Sequence, residues 1–588
     1  MVDTLTLVLA GVLAYVAGMG ALRRRGYLPS YLHVSGPITT IHTERGKALL
    51  DRLARHRRFF RAWANVGIGF GLLVLVGMFL TVVVSGIMSL QQPGTNPIQE
   101  PKNALVIPGF NDFLPLAAAP EIIFGLVLAL VVHEGGHGLL CRVENIDIES
   151  MGLALFTIIP IGAFVEPDEQ DRQDADRGAQ TRMFAAGVTN NFALAIVALL
   201  LLFGPVAGSI QAVGGVAVGG AIPGSPADTA GLGQGTVITD VDGTPVSNRT
   251  ALTETLAETD EQTVTVSVHD GQAVQIERSV FVTSALKSGP LAVDSGDRIA
   301  AVNGTAVSTV TEMTAALENR TIATLQTENG TETTGPIGAY VSRVAPGKPL
   351  AQAGAPAGGS LVITRFGGER IVSQTDLATA LDRTVPNQSV QVQASVQGRL
   401  KPFTVTLGEN PRDDSGFLGV TGIQPGISGV AIDDFGIREY PAEAYLTILG
   451  GNGGADTNLP LGRQILSMVT LPFATVANAI IPYNFAGFLG PITNFYTISG
   501  PLAFLGGGVF TLANLLFWTA WVNVNLGVFN LIPLFPLDGG HLLRASAEAI
   551  TSRTPFAKRW VVRTVTVSVG LVMFASLMLM LFGPLLLS

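Results

Sequence analysis

Residues 119–141 read Ala119-Pro-Glu-Ile-Ile-Phe-Gly-Leu-Val-Leu-Ala-Leu-Val-Val-His-Glu-Gly-Gly-His-Gly-Leu-Leu-Cys141. About 20 helical residues cross the roughly 30 Å of bilayer hydrocarbon, and this run has that length and apolar character. Near its end stands His133-Glu134-Gly135-Gly136-His137. Histidines at i and i+4 lie on one helix face, close enough to share a zinc ion, and the glutamate between them can act on a water held there. Ionisable side chains inside an apolar span are costly and mark functional positions. The stretch therefore predicts a membrane helix and a metal site together; the competing reading is a buried polar network that holds no metal.

The rest of the chain agrees with a membrane setting. Of 588 residues, 48% are hydrophobic and 13% charged, against about 25% charged in soluble domains. One cysteine, Cys141, excludes a disulfide framework or a Cys-rich zinc module. A net charge of −9 gives no reason to expect nucleic-acid binding. Further apolar runs lie near 5–22, 63–89, 183–206, 508–530 and 562–586, so about six transmembrane helices are expected.

Orientation follows from the short basic loops, which stay cytoplasmic. Residues 23–62 carry Arg23, Arg24, Arg25, Arg45, Lys47, Arg52, Arg55, Arg57, Arg58 and Arg61 against Glu44 and Asp51. Residues 541–563 carry Arg544, Arg553, Lys558, Arg559 and Arg563 against Glu548. Both termini and the long segment 207–460 then lie outside. The apolar region 464–507, broken by Pro472, Pro482, Pro491 and Pro501, is expected to be interfacial or re-entrant, since an extra crossing would upset that parity.

Segment 207–460 holds 14 Lys+Arg and 26 Asp+Glu, a net charge of −12, and reads as a water-exposed module. Period-2 runs such as Thr263–Val268 and Val390–Val396 predict half-buried strands, with short helices near 251–258, 311–318 and 375–382 between them. Pro223-Gly-Ser-Pro-Ala-Asp-Thr-Ala-Gly-Leu232 echoes Ala345-Pro-Gly-Lys-Pro-Leu-Ala-Gln-Ala-Gly354, and Gly296-Asp-Arg-Ile-Ala-Ala-Val-Asn-Gly304 repeats the strand-turn part. These stretches resemble PDZ domains, two of them with a degenerate piece between. The resemblance implies binding of peptide segments or C-termini by strand addition; a spacer or size filter is the alternative.

A catalytic zinc takes three protein ligands and keeps one position open. The best-placed further carboxylate is Asp538, in Asn530-Leu-Ile-Pro-Leu-Phe-Pro-Leu-Asp-Gly539, at matching depth to His133 if the topology above holds. Taken together, the His-Glu-x-x-His helix and this distant segment resemble the site-2 protease family of intramembrane zinc metalloproteases (M50 type), which carries out regulated intramembrane proteolysis. The resemblance implies zinc on His133, His137 and Asp538, with Glu134 as catalytic base. It also implies that Asn191, in Ala186-Gly187-Val188-Thr189-Asn190-Asn191 with Val188 where the family has Pro, and Asn525 and Asn530 serve the substrate or the oxyanion. Residues 148–166 match the strand region expected beside an extended substrate.

The expectation is a polytopic α-helical membrane protein with an inserted α+β, PDZ-like extracytoplasmic region and an active site toward the cytoplasmic side. Its parts are 1–118 (a transmembrane pair and basic loop), 119–206 (first half of the catalytic core), 207–285 and 286–410 (PDZ-like domains, the second with the degenerate repeat), 411–507 (linker and interfacial segment) and 508–588 (second half of the core and last helix). Single-pass transmembrane proteins are the expected substrates and the lipid bilayer the expected surroundings. A PDZ-bearing scaffold or inactive homologue is the non-enzymic alternative; a metalloprotease class with Glu as third ligand is the enzymic one. Cys141 reads as a small buried hydrophobe, His541 as either a partner of the site or a loop residue, and His33, His42 and His56 as facing solvent or headgroups.

Overall fold

The computed structural model describes residues 4–91, 107–111, 114–410, 414–451, 460–477, 483–552 and 559–587. The chain divides into two compact units, one of Met1–Gln211, Glu443–Leu489 and Ile498–Ser588, the other of Ala212–Ala442 and Gly490–Thr497.

In the first unit, α1 (Thr4–Arg24) is followed by β1 (Leu32–Ser35), β2 (Ile38–His42) and α2 (Glu44–Leu53), whose first turn is capped by the Thr43 hydroxyl. Next come α3 (Arg57–Gln91), α4 (Ala119–Val143), β3 (Ile148–Phe156), β4 (Ile159–Pro167), α5 (Glu169–Asp174) and α6 (Arg177–Leu201). The strands form one antiparallel sheet in the order β1-β2-β3-β4. The β1–β2 hairpin lies inside what reads as a plain basic loop, because strands of four and five residues are too short to show their period. Phe156, Ile158, Ile159 and Ile161 at the β3–β4 tip are exposed. Two apolar cores flank α6. Leu50 and Ala54 pack with Leu139, Leu140, Cys141, Met183 and Ala186 on one side, and Leu75, Ala185 and Val188 with Leu531 and Leu542 on the other.

The insert follows. After β5 (Ile210–Ala212) the same motif recurs three times. The first copy is β6 (Val216–Ala221), α7 (Pro226–Thr229), β7 (Thr236–Val241), β8 (Thr244–Pro245), α8 (Arg249–Glu258), β9 (Thr263–Val268) and β10 (Ala273–Glu277). The second is β11 (Val280–Ala285), β12 (Arg298–Val302), β13 (Thr305–Ala306), α9 (Val310–Leu317), β14 (Ile322–Thr327) and β15 (Glu332–Pro336). The third is β16 (Ala339–Val344), α10 (Pro349–Gln352), β17 (Leu361–Phe366), β18 (Glu369–Arg370), α11 (Gln374–Asp382), β19 (Ser389–Val396) and β20 (Arg399–Thr406). Each copy turns on two residues with positive φ, Asp242-Gly243, Asn303-Gly304 and Gly367-Gly368, the geometry that tight hairpins favour.

Beyond the short pair β21 (Gly408–Glu409) and β22 (Gly416–Phe417) the chain runs back through all three copies. β23 (Val420–Ile423) pairs with β16, β24 (Val430–Asp433) with β11, and β25 (Ile437–Glu439) with β6. Three six-stranded sheets result, each with its own apolar core. The stretch expected as a degenerate piece is thus a full module, and residues 420–439, within the 411–507 segment expected as linker and interfacial, supply the last strand of every module. Returning strands of three or four residues carry no alternation that a sequence reading can detect.

The chain ends with α12 (Ala442–Ile448), α13 (Leu461–Thr470), α14 (Ala474–Ala477), β26 (Tyr496–Ile498), α15 (Gly508–Asn530), α16 (Asp538–Thr551) and α17 (Arg559–Leu587). Ahead of α15, irregular backbone at Ala486–Phe488 is hydrogen-bonded by that helix's side chains. Asn514 accepts from Phe488 N (2.7 Å) and donates to Phe488 O (3.1 Å), and Trp518 Nε1 donates to Ala486 O (3.1 Å). Buried backbone outside helices and strands requires such partners. Among the described residues, five helical stretches are long and apolar enough to cross a membrane: Glu44–Leu90, Leu116–Val143, Arg177–Ser209, Gly508–Asn530 and Arg559–Phe582. The sixth expected span, 5–22, lies in α1, some of whose side chains fall outside the described residues, as do Pro482, Arg553 and Lys558. The protein is a multi-pass helical membrane protein with an inserted β region.

Candidate functional site

α4 delivers His133 and His137 on one face, and α16 begins at Asp538. The two histidine Nε2 atoms stand 3.2 Å apart, and Asp538 Oδ2 lies 3.2 Å from that of His133 and 3.4 Å from that of His137. A tetrahedral zinc with ligands at 2.0–2.1 Å holds its ligand atoms about 3.3–3.4 Å apart, so the triangle has the size of one face of such a site. Asp538 Oδ2 is also buried with no hydrogen-bond partner, as an oxygen reserved for a cation would be. These three residues can hold a metal ion.

The surrounding backbone explains why these side chains meet. A Cβ added at Gly187 of α6 would lie 2.5 Å from His137 Nε2 and 2.9 Å from His133 Cε1, so only glycine lets α6 pass against both rings. Val188, at the family's proline position, continues the helix and packs into the core with Leu75 and Leu542. A Cβ at Gly539 would lie 2.4 Å from Leu531 O, so α16 starts hard against the turn that follows α15, which aims Asp538 at α4. His137 Nδ1 donates to Met183 O at 2.8 Å, leaving the Nε2 lone pair for a metal. Glu134 accepts from Val165 N at 3.2 Å and thereby touches β4, the edge of its sheet.

The remaining candidates divide. Asn191 is fully buried, with its amide nitrogen 3.3 Å from His133 Nδ1. Asn525 Nδ2 donates within its own helix to Trp521 O, and Asn530 closes that helix. Asn523, which the sequence reading passed over, is fully buried, with Nδ2 donating to Thr519 O. Its signal was the four-residue spacing with Thr519 and Gly527, which puts the three on one face. His541 stacks on Phe184 (ring centroids 4.0 Å apart) and meets Phe535 edge-on, one turn past Asp538. Cys141 is buried in the apolar core. His33 and His42 pair their rings at 4.5 Å on the sheet.

The chain is 26% identical over 163 residues to an uncharacterized protein of Methanocaldococcus jannaschii, a match covering 28% of this chain and 42% of the relative. It is 30% identical over 156 residues (25% and 28%) to a membrane-bound transcription factor site-2 protease homolog of Arabidopsis thaliana. It is 25% identical over 219 residues (37% and 44%) to the zinc metalloprotease RasP of Oceanobacillus iheyensis. The chain thus spans less than half the length of each of these relatives. The family model for peptidase family M50 matches residues 121–577, which include the whole His133, His137 and Asp538 cluster, and the chain belongs to that family.

Proposed function

We propose that the protein is a site-2-type intramembrane zinc metalloendopeptidase that hydrolyses a peptide bond within or near the transmembrane segment of single-pass membrane proteins. The observation that carries this reading is the 3.2–3.4 Å triangle of His133, His137 and Asp538, with Glu134 next in sequence, on a helix long and apolar enough to cross a membrane. The names of two relatives, a site-2 protease homolog and a zinc metalloprotease, point the same way.

Zinc, when bound, polarises a carbonyl and lowers the pKa of water toward about 7. Glu134 takes the attacking water's proton and passes it to the leaving amine nitrogen. The Val165 N–H holds one oxygen of Glu134, which orients the carboxylate for that transfer. A transmembrane helix shields its peptide bonds with its own hydrogen bonds, so a substrate must be drawn out before it is cut. β4 has an open edge beside Glu134 and offers an extended chain a row of backbone partners. Of the three asparagines expected at the substrate, Asn191 is the one beside the ligands. The charge bias of the loops supports an extracytoplasmic insert and cleavage near the cytoplasmic side. The three repeats of the insert support a PDZ-like reading in which their edge strands screen peptide segments or C-termini.

Glu134→Gln tests the mechanism, since it keeps size and metal ligands but removes the base. The variant is expected to bind zinc as the wild type does and to fail to cleave a reconstituted transmembrane substrate. Wild-type turnover in it would overturn the reading.

A further inference from the structure

The zinc reading leaves one question at His133. A neutral imidazole carries its hydrogen on one nitrogen only. If Nε2 is the ligand, Nδ1 bears the hydrogen and needs an acceptor, because metal-bound histidines are oriented through that second nitrogen. His137 meets the need with Met183 O at 2.8 Å. At His133 the neighbouring group is the Asn191 amide, with Nδ2 3.3 Å from Nδ1 and Oδ1 buried without a partner. Two N–H groups facing each other would repel. The oxygen and nitrogen of a side-chain amide exchange places by rotation, and which atom faces a neighbour is decided by the hydrogen-bond network. The atom turned away from His133 meets no protein partner, so the choice is made at His133 itself.

We infer that Asn191 is the positioning residue of His133: its side-chain oxygen accepts the Nδ1 hydrogen and keeps the Nε2 lone pair turned toward the cation. α6 meets the ring along its Nδ1–Cε1 edge. Asn191 is fully buried on that helix, and Gly187, one turn earlier, brings the same backbone against the His133 ring edge. The amide cannot swing away without opening the contact between α4 and α6.

This inference rests on the proposed zinc site and deepens it. The test is zinc affinity, measured by chelator competition on the purified full-length protein in detergent, alongside thermal unfolding of the metal-free form. Asn191→Leu, which fills the space without an acceptor, is expected to weaken zinc 10–100-fold, as loss of a ligand's hydrogen-bond partner does. Asn191→Asp keeps the acceptor and loses only the donor, so it is expected to bind zinc within about threefold of wild type. Wild-type affinity in Asn191→Leu would overturn the inference, and so would an Asp variant weakened tenfold or more, since that is the result if Nδ2 donates to His133. If Asn191→Leu does not fold, the Asp variant alone decides. Absence of zinc from the wild type would instead defeat the metal reading beneath it.

Discussion

His133 and Asp538 stand on opposite sides of the insert in sequence and 3.2 Å apart in space. Ile437 and Ala221 are likewise remote along the chain and adjacent in a sheet. Both contacts close long loops, yet only the first could be read from residue types. A histidine pair or an aspartate after a helix-breaking proline is conspicuous against apolar surroundings, where each charge costs several kcal/mol unless compensated. A three-residue strand in a polar segment looks like any other loop. Long-range structure is therefore legible where chemistry, and not packing, brings the pieces together.

Asp538→Ala cuts the chemical link and has the largest expected effect. It removes one of the three candidate ligands and the neutralising charge, so stoichiometric zinc is expected to vanish while the insert, with its separate cores, keeps its fold. Elemental analysis of the purified variant, together with limited proteolysis of the insert, checks both halves. Retention of one zinc per chain would point to another third ligand.

The link within the insert is broken by Arg278→Met. Arg278 is fully buried where the first module passes into the second, and it donates to Leu256 O (2.8 Å), Thr259 O (2.9 Å), Glu261 O (3.2 Å) and Asp434 (3.3 Å). Asp434 lies on the returning chain between β24 and β25 and also accepts from Val310 N at the start of α9. One guanidinium thus ties outgoing and returning chains together. Removing one partner of a buried ion pair typically costs about 3–5 kcal/mol, because the other charge is left uncompensated. Faster amide exchange in β6 and β25 with unchanged zinc content is the expected outcome. A loss of zinc would mean that the two units are less separate than their cores suggest.

The sequence made the membrane class, the cluster of His133, His137 and Asp538 that can hold a metal, and the existence of a β-rich insert readable, through apolar length, a five-residue motif and period-2 runs. It did not reveal the middle module as a full one, because its first strand, β11, has no helix after it to complete the echo of Pro223–Leu232. The return path and the β1–β2 hairpin escaped because strands of two to five residues have too few positions to show a period. Nor did it show the neighbour of Asn191: family position suggested the substrate, and the 3.3 Å contact with His133 across two helices is not visible in residue types.

The smallest expected effect lies where α3, α4 and α6 meet. Glu144, just past α4, has its side chain only 2% exposed and is gripped by Arg61 through both oxygens (3.0 and 2.7 Å) and by Arg182 at 2.7 Å, which ties α3, α4 and α6 together. Burial by itself would push the Glu144 carboxyl up, but the hydrogen bonds and charges of Arg182 and Arg61 hold it below the ordinary value. An acid whose pKa is depressed in the folded state stabilises the fold above its unfolded value, about 4.3, and that contribution fades as the pH falls through the lower folded value. Thermal unfolding from pH 7 to pH 3 should therefore show the wild type losing a few degrees below about pH 4.5 that Glu144→Gln never had, with the two curves converging at the acid end. Parallel curves would show that the clamp contributes nothing that titrates, and that apolar packing alone sets the approach of α6 to the histidines.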